Sequence, residues 1–274
     1  MIPAAFDYCR ASSLQEALQF LSDGGEDAKL IAGGHSLLPL MKLRLAAPSL
    51  LVDIGRLGDL SYVRESNGQI SVGALTRHRD LETNELLKSH APLLAHVASQ
   101  VGDPQVRHRG TIGGSIAHGD PASDLPAACL ALGATFVAEG PGGRREIDAG
   151  DFFEGFLETA LRPDEILTEI NLPKATGSGW SFQKFNRRAQ DWAIVGVAAV
   201  AGERPGVALV NMGPTPLRAT SVESALGSGA SASEAAAHAS DGLDPPEDLN
   251  ASADYRRHLA TVLVRRALQE AGVA

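Results

Sequence analysis

Cysteine is scarce in this sequence. Among 274 residues only Cys9 and Cys129 are cysteines, and neither has a second cysteine near enough in sequence to form a CxxC pair. The chain alone therefore cannot supply the ligands of an iron–sulfur cluster or of a cysteine zinc site. A disulfide between the two is one interpretation, but this usage favours two reduced thiols in a cytoplasmic protein.

Long apolar runs and a surplus of positive charge are missing too. The longest apolar stretch, AIVGVAAVA at 193–201, is far shorter than the roughly 20 residues of a membrane-spanning helix, and the start of the sequence shows no secretory signal pattern. Acidic residues outnumber basic ones by 33 to 24, which gives a formal charge of −9. Because that charge repels phosphate backbones, we expect no nucleic-acid partner. The short apolar runs and the missing signal pattern predict a cytoplasmic protein with no membrane span.

Familiar catalytic and nucleotide signatures are also absent. The sequence contains no G-x-G-x-x-G, no G-x-x-x-x-G-K-[ST], no H-E-x-x-H and no serine elbow. His35, His108 and His118 lie in or beside glycine-rich segments, but their spacing fits no metal motif. We therefore predict no catalytic side chain and no metal site.

Two glycine pairs, each followed by a hydroxyl residue, are the main positive feature: IAGGHS at 31–36 and TIGGS at 111–115. A glycine pair allows positive φ, so that successive N–H groups can approach an anion. The first pair follows a predicted strand at 28–32 and precedes a predicted helix with Ser36 as its N-cap. Taken alone, either pair could also be a plain connecting turn.

The second pair lies in a segment, 101–126, that is dense in Gly, Pro, Asp and Ser and is predicted to be a long functional loop. It offers the hydroxyls of Thr111 and Ser115, free N–H groups at Gly113 and Gly114, and a carboxylate at Asp120 or Asp124. Such a set could donate to a diphosphate and accept from a ribose. The two aspartates could equally be turn and cap residues.

The remaining patterns predict an α+β chain. Short strands and helices alternate up to Pro173, and KATGSG at 174–179 is the candidate linker. Three consecutive strands and a long final helix follow. In that helix we expect an apolar stripe formed by Tyr255, Leu259, Val262, Leu263 and Ala267, and a solvated face formed by Arg256, Arg257, Arg265 and Arg266.

Two long segments carry a family resemblance. AGGHSLLPLMKLRLA at 32–46 and VGDPQVRHRGTIGGSIAHGDPASDLPAA at 101–128 resemble the FAD-binding middle subunit of the molybdenum hydroxylases. This family includes the medium subunit of carbon monoxide dehydrogenase and the flavin domain of xanthine dehydrogenase. LRPDEIL at 161–167, FQKFNRRAQDWA at 182–193 and DYRRHLATVLVRRAL at 254–268 are similar to its later signatures.

The resemblance implies a two-subdomain FAD-binding domain of the vanillyl-alcohol-oxidase (PCMH) type at 1–175, with subdomains of about 1–55 and 56–175. A small C-terminal α+β domain at 176–274, with a three-stranded antiparallel sheet and helices, would follow. The cofactor-binding residues that the resemblance implies are Ala32, Gly33, Gly34, His35, Ser36, Leu37, Thr111, Ile112, Gly113, Gly114, Ser115, Asp124, Leu167 and Lys184. The register at Lys184 is ambiguous by one residue, which leaves Gln183 as the alternative.

The implied function is electron transfer within a complex. An FAD subunit of this kind would receive electrons from the [2Fe–2S] clusters of a small partner and pass them to an external electron acceptor. A large molybdopterin subunit would oxidise the substrate, and the heterotrimer would form a dimer. The alternatives are a stand-alone FAD-dependent oxidoreductase that binds its own substrate, and a non-enzymatic binding protein whose glycine pairs are plain turns.

Overall fold

A computed structural model describes residues 2–274 and begins with a three-stranded parallel sheet of order β1-β3-β2. Its elements are β1 (Asp7–Arg10), α1 (Leu14–Gly24), β2 (Ala28–Ile31), α2 (Leu37–Leu43) and β3 (Leu50–Asp53). Helix α1 begins at Ser13, whose side chain accepts a hydrogen bond from the Glu16 N–H, and it buries Ala17 and Leu21. The residues of this part form a hydrophobic cluster that Leu75 and Ile166 of the following part also join.

A five-stranded antiparallel sheet of order β4-β5-β10-β6-β7 follows. Its strands are β4 (Val63–Ser66), β5 (Gln69–Gly73), β6 (Thr135–Gly140), β7 (Gly143–Asp148) and β10 (Ile166–Pro173), and β8 (Phe153–Gly155) pairs with β9 (Glu158–Thr159) beside it. The helices between β5 and β6 are α3 (His78–Thr83), α4 (Glu85–His90), α5 (Pro92–Gln100), α6 (Pro104–Arg109), α7 (Ile112–His118) and α8 (Asp124–Leu132). Every residue of α8 is buried, so this helix is the centre of the largest hydrophobic cluster.

The last part is a four-stranded antiparallel sheet with helices. Its elements are β11 (Trp180–Phe185), β12 (Val195–Val200), β13 (Gly206–Val210), β14 (Leu217–Arg218), α9 (Thr220–Gly227), α10 (Ala232–Ala236) and α11 (Ala253–Glu270). The three expected strands are confirmed, but the prediction of a three-stranded sheet missed the short fourth strand β14. Two residues carry too little pattern to be read as a strand.

The continuous apolar runs of β12 and β13 have a structural reason. Both strands are buried along their whole length, because α8 packs on one face of the sheet and α11 on the other. Burial on two faces removes the alternation of apolar and polar residues that marks a half-exposed strand. The helices and the mainly antiparallel sheets of the chain confirm the predicted α+β class.

The prediction of one long loop at 101–126 is wrong, because the segment forms α6, α7 and the start of α8. Its polar residues are helix caps: Asp103 accepts from the Val106 N–H at 2.8 Å, and Thr111 accepts from the Gly114 N–H at 3.2 Å. Gly119 ends α7 in the left-handed conformation. Glycine, proline and aspartate disfavour the interior of a helix, but in this segment they lie at helix ends.

The predicted solvated face of α11 is wrong at Arg256. This side chain is 0% exposed, its Nη1 donates to the Ile194 carbonyl, and its Nη2 lies 2.9 Å from Asp248 Oδ2. Tyr255, expected in the buried stripe, is 44% exposed. The buried face is therefore rotated by about one residue from the expected one.

The candidate linker at 174–179 contains no helix or strand, yet it is attached to the preceding sheet and helices. Lys174 Nζ lies 2.6 Å from Glu65 Oε1, and the Ala175 N–H donates to the His90 carbonyl at 2.7 Å. Within residues 2–274, no helix has the length and apolar character needed to cross a membrane.

Candidate functional site

A cavity of about 770 Å³ lies where the three sheets approach one another. Its wall includes Leu30 of β2, Leu167 of β10 and Lys184 of β11. The volume is within the range of pockets that bind small molecules and cofactors. The cavity is therefore the candidate cofactor site.

Nearly all of the predicted site residues line this one cavity. The lining residues among them are Ala32, Gly33, Gly34, His35, Ser36, Leu37, Thr111, Gly113, Gly114, Ser115, Asp124, Leu167 and Lys184. Ile112 is the exception: it is fully buried, and its N–H donates to the Thr76 carbonyl at 3.1 Å. Ile112 thus anchors α7 in the core and does not face the cavity.

The first glycine segment lies directly against Arg109 and Gly110, the two residues that precede the second segment. A β-carbon added at Gly33 would lie 2.5 Å from the Arg109 carbonyl oxygen and 2.9 Å from the Gly110 α-carbon. Both distances are well below van der Waals contact, so any larger residue at position 33 would push the segments apart. The absence of a side chain at Gly33 is therefore needed for this close approach.

The first segment, 31–36, presents unpaired donors to the cavity. No described residue accepts a hydrogen bond from the backbone N–H groups of Gly33, Gly34 or His35. Gly34 has a φ of +77°, the left-handed region that favours glycine. Ser36 occupies the N-cap position of α2, but its side chain makes no capping hydrogen bond. Its hydroxyl is thus available to a ligand.

The second segment, 111–115, is braced from within the chain. The Gly113 N–H donates to the Ala74 carbonyl at 2.8 Å, and the Gly114 N–H donates to Thr111 Oγ1 at 3.2 Å. The expectation that these two N–H groups are free is therefore wrong. They are consumed because TIGGS begins a helix packed on the end of β5, where a β-carbon at Gly113 would lie 2.5 Å from that of Ala74.

A buried ion pair lies in another part of the wall. Lys184 Nζ is 2.7 Å from Asp124 Oδ2 and donates to the Gln100 carbonyl at 3.1 Å. Asp124 Oδ1 is buried and accepts no hydrogen bond from residues 2–274. Burial raises the pKa of Asp124 to about 6, while Lys184 acts in the opposite direction. At neutral pH the carboxylate is mostly ionised and has one oxygen free to accept from a ligand.

The structure separates the alternatives that the sequence left open. Lys184 lines the cavity, whereas Gln183 donates to Glu270 Oε2 at 2.5 Å and is absent from the wall. Adjacent strand residues point to opposite faces, so only one of the two can face the cavity. Likewise Asp124 lines it, whereas Asp120 accepts from the Ala122 N–H at 2.8 Å as a turn residue.

Sequence reasoning missed the segment that holds the second glycine pair in place. Residues 74–78 run antiparallel to residues 110–113, with hydrogen bonds to Ala74, Thr76 and Gly110 and an isolated bridge between Arg77 and Thr111. His78 also lines the cavity. Nothing in the local sequence of 74–78 marks this pairing, because it depends on a partner more than thirty residues away.

The described part of the chain, 2–274, has no group of three or more His, Cys, Asp or Glu side chains placed to hold a metal ion. A cavity with free backbone donors and a buried, unpaired carboxylate oxygen fits an organic cofactor with anionic and hydroxyl groups. FAD has both.

Comparison with known proteins agrees with this chemistry. Residues 4–175 match the family "FAD binding domain in molybdopterin dehydrogenase", and residues 180–271 match "CO dehydrogenase flavoprotein C-terminal domain". The carbon monoxide dehydrogenase medium chain of Hydrogenophaga pseudoflava is 44% identical, over 99% of this chain and 98% of the relative. The 6-hydroxypseudooxynicotine dehydrogenase complex subunit alpha of Paenarthrobacter nicotinovorans is 40% identical, over 99% and 96%.

Solved structures agree as well. A structure of carbon monoxide dehydrogenase from Hydrogenophaga pseudoflava, in a form that lacks the molybdenum-pyranopterin moiety of its cofactor, contains a similar chain. The TM-score is 0.95 at 45% identity, covering 99% of this chain and 98% of that one. This protein therefore belongs to the family of FAD-binding subunits of molybdenum-dependent dehydrogenases and is an oxidoreductase subunit whose cofactor is FAD.

Proposed function

We propose that this chain is the electron-transfer subunit of a molybdenum hydroxylase complex. It would accept electrons from [2Fe–2S] clusters in a small partner subunit and pass them to an external acceptor, while a large molybdopterin subunit oxidises the substrate. The observation that carries the proposal is the single cavity that collects both glycine segments, Asp124 and Lys184. When bound there, FAD supplies the redox chemistry.

The two glycine segments would hold the diphosphate of FAD. The free N–H groups of Gly33, Gly34 and His35 can donate to its oxygens, with the Ser36 hydroxyl beside them. The second segment would form the opposite wall through Thr111, Gly114 and Ser115. Because its own N–H groups are used internally, its main contribution would be a fixed surface.

Asp124, Lys184 and Leu167 would hold another part of the cofactor. Asp124 Oδ1 can accept from a hydroxyl or N–H group of the ligand, and the Lys184 ammonium keeps the carboxylate ionised and fixed in direction. Leu167 lies where the register of β10 shifts, next to a bulge between Leu167 and Glu169. An apolar side chain there would exclude water from the flavin.

The division of the chain into domains at 1–175 and 176–274 belongs to this proposal. It is supported by the change of sheet across 174–179. Lys184 of the second domain contacts Asp124 of the first, so FAD between them would be held by both. Loss of flavin should then loosen the contact between the domains.

The partners follow from chemistry that this chain lacks. Two unpaired cysteines, on β1 and α8, cannot hold iron–sulfur clusters, so a partner must carry them. Reduced thiols also support a cytoplasmic location. One relative is named for carbon monoxide and another for 6-hydroxypseudooxynicotine, so the substrate would be selected in the large subunit. We propose a dimer of heterotrimers as the full assembly.

The test is to produce the chain alone and then with its candidate partners. Alone, it should bind one FAD and oxidise no organic substrate. Together with a cluster-bearing subunit, the bound flavin should be reduced by electrons delivered to the clusters. A folded chain without affinity for FAD would contradict the proposal, and so would substrate oxidation by the isolated flavoprotein.

A further inference from the structure

His78 is a buried histidine whose polar atoms have no partner. It is the first residue of α3, its side chain is 5% exposed, and it forms part of the cavity wall. Within residues 2–274, neither ring nitrogen makes a hydrogen bond. A buried polar group without a partner destabilises a fold, so this side chain needs an explanation.

The imidazole lies at the junction of the two glycine segments. A β-carbon at Gly110 would lie 2.8 Å from His78 Cε1 and 3.0 Å from Nδ1, so the ring packs directly on Gly110. Gly110 is also one of the two residues, with Arg109, against which Gly33 packs. The backbone supports this placement, because the His78 N–H donates to the Gly110 carbonyl at 3.0 Å.

The surroundings keep the ring neutral. Burial lowers the pKa of His78 to about 4, and His35, Arg107 and Arg77 act in the same direction. The Thr111 backbone lies close enough to the ring to oppose them, but its position does not meet hydrogen-bond geometry. A neutral imidazole offers one N–H donor and one acceptor. An apolar side chain of similar size would fill the same space without the cost of two unpaired nitrogens.

We propose that His78 is a further FAD-binding residue, whose neutral imidazole finds its hydrogen-bond partner in the diphosphate held at the junction of the glycine segments. This assignment rests on the proposed position of the diphosphate. A residue that lowers the stability of the free protein and strengthens binding is expected at a functional site.

The test compares the stability of the apoprotein with its affinity for FAD. We expect His78→Leu to melt at the same temperature as the wild type or higher, because it removes two unpaired polar atoms. Its affinity for FAD, measured by quenching of flavin fluorescence, should fall about tenfold, the loss of one hydrogen bond. His78→Gln, which retains a donor and an acceptor, should recover most of that affinity.

Leu81→Ala is the matched control. Leu81 is on the same helix, fully buried and absent from the cavity wall. This variant should lower the melting temperature of the apoprotein while the folded fraction binds FAD as the wild type does.

The outcomes separate the two levels of the proposal. Equal FAD affinity in wild type and His78→Leu overturns the assignment of His78. The assignment is also overturned if both His78→Leu and His78→Met melt at a lower temperature than the wild type or do not fold. That result would show that the imidazole has a structural role. A folded wild-type chain that binds no FAD instead contradicts the proposed function.

Discussion

The two glycine segments look alike in sequence and differ in structure. IAGGHS has a glycine with φ of +77°, N–H groups without partners among residues 2–274, and a serine hydroxyl that makes no capping hydrogen bond. TIGGS has a capping threonine, and the four N–H groups that follow it, from Ile112 to Ser115, are bound within the chain. The first segment leaves donors free, whereas the second uses its donors to hold itself in place. A glycine pair followed by a hydroxyl residue therefore does not fix the role of a loop.

The difference comes from what each segment packs against. Residues 110–113 pair with the extended residues 74–78, whereas the first segment leaves the parallel sheet after Ile31 without a comparable partner. A loop with free donors that faces a hydrogen-bonded wall could bind a diphosphate without breaking bonds of the core.

Gly33→Val should have the largest effect. The new β-carbon would collide with the backbone of Arg109 and Gly110 and force the segments apart. We expect the apoprotein to lose about 1–3 kcal/mol of unfolding free energy. FAD affinity should fall by about 100-fold or more, equivalent to about 3 kcal/mol. Chemical denaturation and flavin titration measure the two effects.

Gly142→Ala is the control for Gly33→Val. A β-carbon at Gly142 would meet no atom within 4 Å, so stability and FAD affinity should both be unchanged. If Gly33→Val bound FAD as tightly as this control, contact between the segments would not be needed for the site.

Asp124→Asn should weaken FAD binding by about tenfold, because the buried acceptor loses its charge. It should also change the pH dependence of stability. Burial raises the pKa of Asp124 to about 6 from its ordinary 3.8, so the folded protein binds this proton more tightly than the unfolded chain does. Stability linked to this proton is present below about pH 4 and lost as the pH rises to about 6.

The wild-type apoprotein should therefore lose unfolding free energy relative to Asp124→Asn between about pH 4 and pH 6. Denaturant titrations of both proteins at several pH values measure this difference. A difference that is constant across the range would mean that the carboxyl group titrates normally.

Thr111→Val should have a moderate effect confined to stability. The hydroxyl that accepts from the Gly114 N–H is lost, and substitution of an N-cap typically costs about 1 kcal/mol. We expect a lower melting temperature and, in the folded fraction, a change in FAD affinity much smaller than that of Gly33→Val. A large loss of affinity at unchanged stability would show that the hydroxyl binds the ligand instead.

Ser36→Ala should have the smallest effect, and unlike Thr111→Val it should change FAD affinity and leave stability unchanged. Because Ser36 makes no capping bond, stability should stay within about 0.5 kcal/mol of the wild type. The affinity for FAD should fall by about threefold, the lower end of the range for one lost hydrogen bond. A loss of stability like that of Thr111→Val would show that the two segments are equivalent.

The sequence predicted those elements whose signals are local. The cap at Ser13, the strand before Gly33 and the apolar run of β12 all lie within a few residues of the structure they specify. The segment 101–126 was misread, because its Gly, Pro and Asp residues mark helix ends as readily as loops. The burial of Arg256 was missed because its ion-pair partner, Asp248, lies outside the helix.

Long sequence motifs predicted the site residues that face the cavity. The site residues that were not predicted are positioned by pairing between segments distant in sequence. His78 and the segment 74–78 contact the second glycine pair across more than thirty residues. The same pairing also determines which backbone N–H groups remain free to bind a ligand. No pattern within a single segment contains this information.

The most direct test of the account is an experimental structure of the chain with FAD bound. We expect the diphosphate to lie between the two segments, with its oxygens about 3 Å from the N–H groups of Gly33, Gly34 and His35. The second segment should keep the hydrogen bonds from Gly113 to Ala74 and from Gly114 to Thr111. A diphosphate bound elsewhere, or a second segment that releases these N–H groups to bind it, would contradict the account.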